Sequence, residues 1–253
     1  MMKVSDFYKF IDSIAPFETQ MDFDNSGFLI GDEKSDVNRV LISLDVSSDV
    51  ISECKKLGAN LIISHHPVIF HPLRSISKES IPYLLCKNDI SVICAHTNLD
   101  LAKNGVNYCL FKRLNLNDPS PLSIYNNLPL GLIGYLDSEV DSLSFANFVK
   151  YNLNCKNLRF TNLNKNIKKV AVCSGSGGSY IKDVIKNECD AFVTGEIKHS
   201  DIILANENFV SVFDVGHFKS ENVIVPHLME ILQNRFPMVE FFESNFDDKI
   251  QFI

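Results

Sequence analysis

The sequence predicts an α/β fold with two similar halves and largely parallel sheets, and three observations favour it. First, short β-branched and apolar runs alternate with segments of helical spacing from Val37 onward, as expected of βαβ units with right-handed crossovers. Second, parts of the first half recur in the second half, as in proteins built from internal repeats. Third, clusters of His, Asp and Glu follow the carboxyl ends of predicted strands, where open α/β sheets bind their ligands.

The first half contains predicted strands and helices in alternation. Arg39–Leu44 is apolar and β-branched, as is typical of a buried parallel strand. Ser47–Leu57 places apolar residues on one helical face and is followed by Gly58, which is typical of a helix end. The same reasoning predicts strands at Leu61–Ser64 and Ser91–Ala95, and helices at Lys78–Lys87 and Asn104–Leu114.

The second half begins with a stretch that breaks the alternation. Residues Asn115–Pro129 are rich in proline and asparagine, so we interpret them as a linker or surface connection. Strands and helices then alternate again. The predicted strands are Gly131–Leu136, Leu158–Thr161, Lys169–Cys173, Ala191–Thr194, Phe209–Val215 and Val239–Phe242, and the predicted helices are a segment ending near Asn187 together with Leu143–Leu153, Ser200–Asn206 and Phe218–Phe236.

An internal repeat relates the two halves. Two strand segments of the first half recur 130 residues later without a gap, and a third His-ending strand recurs in outline. Each copy of that third strand ends in a His that is followed four positions later by an acidic residue. The matching segments are Val40–Ser43 with Val170–Cys173, Leu61–Ile63 with Ala191–Val193, His65-His66 with Gly195-Glu196, and His96 and Asp100 with His217 and Glu221.

Composition and charge limit the possible classes of protein. The chain has 253 residues, of which 45% are hydrophobic and 22% charged, which is ordinary for a globular protein. The apolar runs are too short for a bilayer crossing and Met1–Phe10 lacks a signal-peptide core, so we expect a cytoplasmic protein without a membrane partner. The seven cysteines form no Cys-x-x-Cys pair, which indicates reduced thiols. A net charge of −7 disfavours nucleic-acid binding.

The His and acidic clusters are candidate metal ligands. Imidazole and carboxylate together suit zinc, manganese, iron or nickel. His65 and His66 would point to opposite faces of a regular strand, but a turn before Pro67 would bring both to one site or to two neighbouring metals. The alternative is a surface His beside a packed one. His217 and Glu221 are four residues apart at a helix start and share one face, although an exposed ion pair would show the same spacing.

Two further features have alternative interpretations. Asp100 is either a metal ligand or the N-cap of the helix predicted near Asn104. The run Ser174–Ser179 lies between a strand and a helix and is either a tight turn or an anion-binding turn. It lacks the Lys-Ser/Thr ending of a P-loop and the Gly-x-Gly-x-x-Gly spacing.

The sequence resembles the Nif-three-like proteins, also known as GTP cyclohydrolase 1 type 2 homologues. The matching motifs occur in the order of the family over nearly the whole chain. They are Asp24-Asn25-Ser26-Gly27, Ser64-His65-His66-Pro67, Ala95-His96-Thr97-Asn98-Leu99-Asp100, Ser174-Gly175-Ser176-Gly177, Thr194-Gly195-Glu196-Ile197-Lys198-His199 and Gly216-His217-Phe218-Lys219-Ser220-Glu221. The chain departs from many relatives at Ser200, where a second His follows His199 in those proteins.

This resemblance implies a dinuclear metal site between the two α/β halves. The ligands of its two divalent ions fall on His65, His66, Asp100, His217 and Glu221. Residues 1–118 would form the first half and residues 119–253 the second, sharing one site in one compact unit. The family also implies a homohexameric ring built from trimers.

The implied activity is that of a metal-dependent hydrolase acting on a small nucleotide, because two ions lower the pKa of water toward neutrality. His96 is then a candidate acid/base group, and Glu196 and His199 are candidates for substrate binding at the mouth of the site. A metallophosphoesterase acting on another nucleotide or phosphate ester is one alternative. A non-catalytic metal-binding ring scaffold is the other.

Overall fold

Two α/β units make up the chain in the computed structural model, which describes residues 1–250. Unit 1 comprises Met1–Leu99 and Val225–Asp247, and unit 2 comprises Asp100–Ile224 with the residues from Asp248 onward. Unit 1 is therefore discontinuous in sequence. The division expected from the sequence, between residues 118 and 119, lies inside a strand of unit 2.

The elements alternate along the first hundred residues. In chain order they are β1 (Met2–Lys3), α1 (Val4–Ile14), a 3-10 helix (Phe17–Thr19), β2 (Gly27–Ile30), β3 (Asp36–Val37), β4 (Arg39–Ser43), α2 (Ser48–Leu57), β5 (Leu61–Ser64), α3 (Ile81–Lys87), β6 (Ser91–Cys94) and α4 (Thr97–Asp100).

The remaining elements continue the alternation to Glu243. They are α5 (Val106–Arg113), β7 (Asn117–Tyr125), β8 (Leu128–Asp141), α6 (Ser142–Asn152), β9 (Arg159–Phe160), β10 (Asn166–Cys173), a 3-10 helix (Gly177–Tyr180), α7 (Ile181–Lys186), β11 (Ala191–Thr194), α8 (His199–Glu207), β12 (Ser211–Asp214), α9 (His217–Glu221), α10 (Ile224–Arg235) and β13 (Glu240–Glu243).

The main sheet of unit 1 has the strand order β13-β4-β5-β6-β2. Its first four strands are parallel, and β2 pairs with β6 in the antiparallel direction. All four residues of β5 and of β6 are buried, because helices and loops cover both faces of such a sheet and favour continuous apolar strands. The prediction of a largely parallel sheet is confirmed for this unit.

The sheet of unit 2 has the order β7-β8-β10-β11-β12-β9. Only β10, β11 and β12 are parallel, and the other pairings are antiparallel. Val170 and Val172 of β10 pack into one hydrophobic core, whereas Ala171 and Cys173 pack into a second one, since alternate residues of a strand point to opposite faces. The prediction of a largely parallel sheet therefore holds only for the centre of this unit.

The interpretation of residues 115–129 as a linker is wrong. They form β7 and the start of β8, which is joined to β7 by a two-residue turn between Tyr125 and Leu128. Asn126 and Asn127 have φ values of 46° and 66°, and such a pair of left-handed residues is typical of a type I′ hairpin turn. Pro119 and Pro121 are tolerated because β7 is an edge strand.

The internal repeat is confirmed by the strand registers. Val40 pairs with Leu61 in unit 1, and Val170 pairs with Ala191 in unit 2, at the offset of 130 residues seen in the sequence. The third strand differs by one position. Leu61 also pairs with Ser91, and Ala191 pairs with Ser211, so the third strands of the two units correspond at an offset of 120 residues. The alignment of His96 with His217 implies an offset of 121 residues, one more than the strand pairing gives.

The end of the chain differs from its prediction in one respect. The helix predicted over Phe218–Phe236 is two helices, α9 and α10, with Asn222 and Val223 between them. Pro226 has no N–H to donate to the carbonyl of Asn222, so a continuous helix is disfavoured at this point. The strand predicted over Val239–Phe242 is confirmed as β13. Among residues 1–250, no helix is long and apolar enough to cross a membrane.

Candidate metal centre

The three histidines of unit 1 follow two neighbouring parallel strands. His65 and His66 come directly after β5, and His96 comes two residues after β6. The amide of His66 donates to Leu44 O at 2.8 Å, and the amide of Ala95 donates to Ser64 O at 2.9 Å, so backbone pairing continues beyond the strand ends. The carboxyl ends of β5 and β6 thus hold their histidines at the same edge of the sheet.

These three imidazoles form one group. The ring centroids of His65 and His66 are 5.1 Å apart, those of His65 and His96 are 5.1 Å apart, and those of His66 and His96 are 5.5 Å apart. One nitrogen of each ring lies within 4.8 Å of one nitrogen of the other two. His65 is buried and His66 is half-buried. His65 and His66 therefore belong to the same group of imidazoles. The alternative, a surface histidine beside a packed one, is not observed.

The Nδ1 atom of each ring contacts an oxygen of unit 1. His65 Nδ1 donates to Ala95 O at 2.8 Å. His66 Nδ1 is 2.8 Å from Asp45 Oδ1, and His96 Nδ1 is 2.7 Å from Asp24 Oδ1. Because these oxygens accept, we assign a proton to each Nδ1, which leaves Nε2 as the atom of each ring that can bind a metal. This is the arrangement that orients histidine ligands in metal sites.

Asp24 connects the first motif of the sequence to His96. Its Oδ1 accepts from His96, and its Oδ2 accepts from the amide of Thr97 at 2.9 Å, from the hydroxyl of Thr97 at 2.5 Å and from Ser26 at 3.0 Å. Burial alone would raise the pKa of this carboxyl group, but the hydrogen bonds from His96 and Thr97 hold the pKa well below its usual range. Asp24 is therefore an ionised residue that fixes the ring of His96.

Asp24→Asn should destabilise the protein by about 1–3 kcal/mol at neutral pH. Both oxygens of Asp24 accept hydrogen bonds, so the NH₂ group of asparagine would face a donor. A carboxyl group with a lowered pKa stabilises the fold above its unfolded value of about 3.9, and this contribution is lost as the pH falls below that value. Urea unfolding of chelator-treated protein should therefore show the full difference between the unmodified protein and Asp24→Asn at pH 7. The difference should shrink progressively below about pH 3.9, as the pH falls toward the low pKa of Asp24 in the folded state.

The exposed Asp89, also in unit 1, provides the matched control for this substitution. Asp89→Asn should change the free energy of unfolding by less than about 0.5 kcal/mol. Equal losses in the two variants, or a loss in Asp24→Asn that persists undiminished at acid pH, would contradict the role assigned to the Asp24 carboxylate.

The helix α9 supplies the second set of candidate ligands, in unit 2. His217 Nε2 lies 3.0 Å from Glu221 Oε2, one helical turn later, and Glu221 is buried. His217 Nδ1 lies 3.2 Å from Glu196 Oε1, and the other oxygen of Glu196 accepts from Ser176 at 2.6 Å. Glu196 thus orients the ring of His217 as Asp24 orients that of His96.

Two carboxylates of unit 2 approach each other closely. One oxygen of Asp100 and one oxygen of Glu221 lie within 4.8 Å of each other. Burial, followed by the charges of Asp100 and Glu221, raises the pKa of the Cys173 thiol, so this cysteine stays protonated. Like charges at this distance repel in a low dielectric unless a proton or a cation lies between them. The pair is consequently a candidate binding group for a cation.

The alternative role of Asp100 as a helix N-cap is not observed. Helix α5 has Gly105 as its N-cap residue, with no hydrogen bond from a capping side chain. The backbone carbonyl of Asp100 instead accepts a hydrogen bond from Asn107 Nδ2 at 3.2 Å. Asp100 is therefore not the N-cap residue of α5.

The glycine-rich run after β10 is a tight turn whose amides are used within unit 2. The amide of Ser174 donates to Asn107 Oδ1 at 2.9 Å, that of Gly175 donates to Ser220 Oγ at 2.8 Å, and that of Gly178 donates to Glu196 O at 3.0 Å. The interpretation as an anion-binding turn is therefore not supported.

Gly175 shows why the run is rich in glycine. It has a φ of +57°, and a Cβ atom there would overlap Glu221 Oε1. Any other residue would be strained in this backbone conformation and would also displace the carboxylate. The turn thus allows β10 to end directly beside the buried Glu221.

The structure also locates the remaining residues predicted from the sequence. Glu196 contacts His217, whereas His199 is exposed in the first turn of α8. Within residues 1–250, the groups of three side chains that could hold a metal include neither of them. Sequence reasoning gave no role to Asp24 or Asp45. Asp45 lies two residues after β4, at the carboxyl end of a predicted strand. That position could have identified Asp45 as a candidate site residue from the sequence.

The fold and the site define a class of α/β proteins with imidazole and carboxylate groups at the carboxyl ends of their strands. The chain belongs to the Duf34/NIF3 (NGG1p interacting factor 3) family, whose model matches residues 2–249. The resemblance noted in the sequence is thereby confirmed.

Individual proteins and solved structures are similar to this chain over nearly its whole length. A Clostridium perfringens protein named GTP cyclohydrolase 1 type 2 homolog is 34% identical over 254 residues, which are 96% of each chain. The structure of Staphylococcus aureus hypothetical protein SA1388 is 31% identical, with a TM-score of 0.92 over 100% of this chain and 99% of that one. A Bacillus cereus protein related to NIF3 is 25% identical, with a TM-score of 0.93 over 100% and 99% of the two chains.

Proposed function

We propose that this protein is a metal-dependent hydrolase whose two divalent ions are bound by His65, His66, Asp100, His217 and Glu221. The observation that carries the proposal is the set of Nδ1-anchored imidazoles at the ends of β5 and β6. Zinc, iron, manganese and nickel all accept imidazole nitrogen together with carboxylate oxygen. The relatives named GTP cyclohydrolase 1 type 2 homolog support a purine nucleotide as the substrate.

The composition of the proposed ligand set fits two divalent ions. Neutral His65 and His66 offer nitrogen without charge, and the two carboxylates offer two negative charges against the four positive charges of two divalent ions. Five protein ligands are few for two metals, so positions remain for water and substrate. An excess of positive charge at the centre would favour an anionic substrate such as a nucleotide.

The homohexamer implied by the family resemblance stays a prediction.

The protein's own side chains would perform the remaining steps of hydrolysis. Two divalent ions would supply Lewis acidity and lower the pKa of water toward neutrality. His96, held at Nδ1 by Asp24, can take up a proton at Nε2 and return it to the leaving group. Glu196 keeps His217 in a fixed orientation. With a purine nucleotide, water would add to the carbon between the two nitrogens of the five-membered ring, and a C–N bond would break.

A chelator should lower the melting temperature of the protein by about 5–10 °C, because metal bound to the folded state stabilises it by about 2–3 kcal/mol. His66→Ala and His217→Ala should each abolish most of this sensitivity. If both residues serve one centre, the double variant should lose little more than either single variant. Thermal unfolding of protein reconstituted separately with zinc, manganese, iron and nickel measures the effect, and product analysis with GTP measures turnover.

The half-buried His227 on α10 belongs to neither set of candidate ligands and provides a control, since His227→Ala should keep the full sensitivity to the chelator. Additive losses from His66→Ala and His217→Ala would show two independent sites, one in each unit. Release of phosphate from GTP with an intact purine ring would favour the phosphoesterase over the cyclohydrolase reaction. Metal binding without turnover of any nucleotide would contradict the proposed hydrolase.

A further inference from the structure

Two phenylalanines are exposed beside the three imidazoles of unit 1. Phe23 is 61% exposed and Phe70 is 38% exposed. Their ring centroids are 6.3 Å apart with an interplanar angle of 45°, and the centroid of Phe70 lies 6.2 Å from that of His96. Single exposed apolar residues are common on protein surfaces, but an aromatic pair that adjoins a polar site indicates a binding surface.

The two rings are attached to the segments that position the site. Phe23 directly precedes Asp24, whose carboxylate holds His96. Phe70 directly follows Ile69, whose carbonyl accepts a hydrogen bond from Asn25 Nδ2 at 2.5 Å. Because Asn25 follows Asp24, the residues that carry the two rings are joined to each other and to His96. The pair therefore has a fixed position relative to the imidazoles.

The chemistry of phenylalanine limits what this pair can bind. Its ring has no hydrogen-bonding group, so it offers only an apolar surface and a π face. A ligand that reaches both the rings and the imidazoles must combine a planar apolar part with a polar reacting part. A nucleobase meets both conditions, since every base has a π face and stacking on an aromatic side chain tolerates any base.

We propose that Phe23 and Phe70 form a stacking platform that binds a planar aromatic ring of the substrate next to His96. This inference rests on the proposed function, because it assigns the ring of the substrate to a place beside the same centre. Phe23 and Phe70 would then determine which substrates are bound tightly. The platform would favour ligands with a base over ligands that carry phosphate groups alone.

The test compares ring-bearing ligands with a ligand that has only the phosphate groups. Metal-loaded protein is titrated by calorimetry with GTP, ATP, CTP and UTP, and with inorganic tripolyphosphate. At least one nucleotide should bind about tenfold or more tightly than tripolyphosphate, as expected for one stacked base. Phe23→Leu and Phe70→Leu should each reduce this ratio by about threefold or more, because leucine keeps an apolar side chain without a π face.

Two further variants and three further readouts make the result specific. Phe70→Tyr should keep the ratio, because the ring is retained. Phe209→Leu should also keep it, because that 70% exposed phenylalanine precedes the amino end of β12, whereas His217 follows the carboxyl end of the same strand. Affinity for tripolyphosphate and metal content should be unchanged in all the variants. Unchanged ratios in the leucine variants would overturn the platform. A change of oligomeric mass in light scattering would also overturn it, since the pair would then lie at an interface between copies.

Metal content and turnover of the unmodified protein separate this inference from the proposed function. Little bound metal or no hydrolysis, together with a ratio that falls in the leucine variants, would contradict the hydrolase and leave the stacking platform supported. Full metal content and turnover, with none of the four nucleotides bound more tightly than tripolyphosphate, would contradict the platform alone.

Discussion

Glu221→Ala is expected to remove most of the bound metal from a protein that otherwise carries up to two divalent ions per chain. Glu221 is buried and lies close to both Asp100 and His217, so its loss removes a negative charge shared by the candidate ligands. The proposed centre would then keep one carboxylate for four positive charges. Loss of a ligand typically lowers metal affinity by large factors. Elemental analysis of protein purified without chelators measures the metal per chain.

Two further substitutions separate charge from size. Glu221→Gln keeps the size of the side chain but removes its charge, and it should also lose most of the metal, because the carboxylate is the ligand. Glu230→Ala removes an exposed glutamate of α10 and should keep the full metal content. If Glu221→Ala were to retain the metal content of the unmodified protein, the assignment of the site would have to be abandoned.

Gly175→Ala is expected to have the largest effect on stability, a loss of about 3 kcal/mol or more. A left-handed conformation costs a residue with a Cβ atom about 1–2 kcal/mol, and overpacking in a close-packed interior costs about 1–3 kcal/mol. Both apply here, since Gly175 has a φ of +57° and its Cβ would overlap Glu221 Oε1. The new methyl group should also displace Glu221, so metal content should fall together with stability. Chemical unfolding followed by circular dichroism measures the loss.

Two other glycines isolate the two causes. Gly58 has a φ of 65° and a ψ of 23°, and an added Cβ would meet only the flexible side chain of Arg39, at 3.2 Å, so Gly58→Ala should lose only the conformational cost of about 1–2 kcal/mol. An added Cβ at Gly177 would lie 2.7 Å from Thr194 Oγ1 and 2.8 Å from Cys173 Sγ, so Gly177→Ala should show only the cost of overpacking, about 1–3 kcal/mol. A loss in Gly175→Ala no greater than that in Gly58→Ala would show that Glu221 moves aside without cost.

The parallel strands could be predicted from the sequence because their signal is local. Runs such as Val40–Ile42 and Leu61–Ile63 are apolar and β-branched without interruption, and both form fully buried strands. Because the two halves match at an offset of 130 residues, a strand predicted in one half also predicts a strand in the other. The strand pairing shows the same offset. The histidines and acids at the strand ends followed from the same pattern, since carboxyl ends of parallel strands meet at one edge.

Other parts of the fold and site depend on contacts that composition does not show. Prolines and asparagines made Asn117–Tyr125 look like a linker, but pairing with β8 overrides local propensity in an edge strand. Asp24 lies 72 residues from His96 in sequence, so their hydrogen bond depends on the tertiary fold. The pairing of Phe23 with Phe70 has the same origin. Motifs in the sequence thus located the candidate ligands but not the groups that orient them.

The pairing of β13 with β4 has a consequence for synthesis of the chain. Glu240 pairs with Arg39, about two hundred residues earlier, and such distant pairings form slowly because a long loop must close first. During translation the ribosome would complete the continuous segment Asp100–Ile224 while the sheet of unit 1 still lacks an edge strand. An open sheet edge is prone to pair with other chains. The nascent protein should therefore aggregate most readily in the interval before residues 240–243 leave the ribosome.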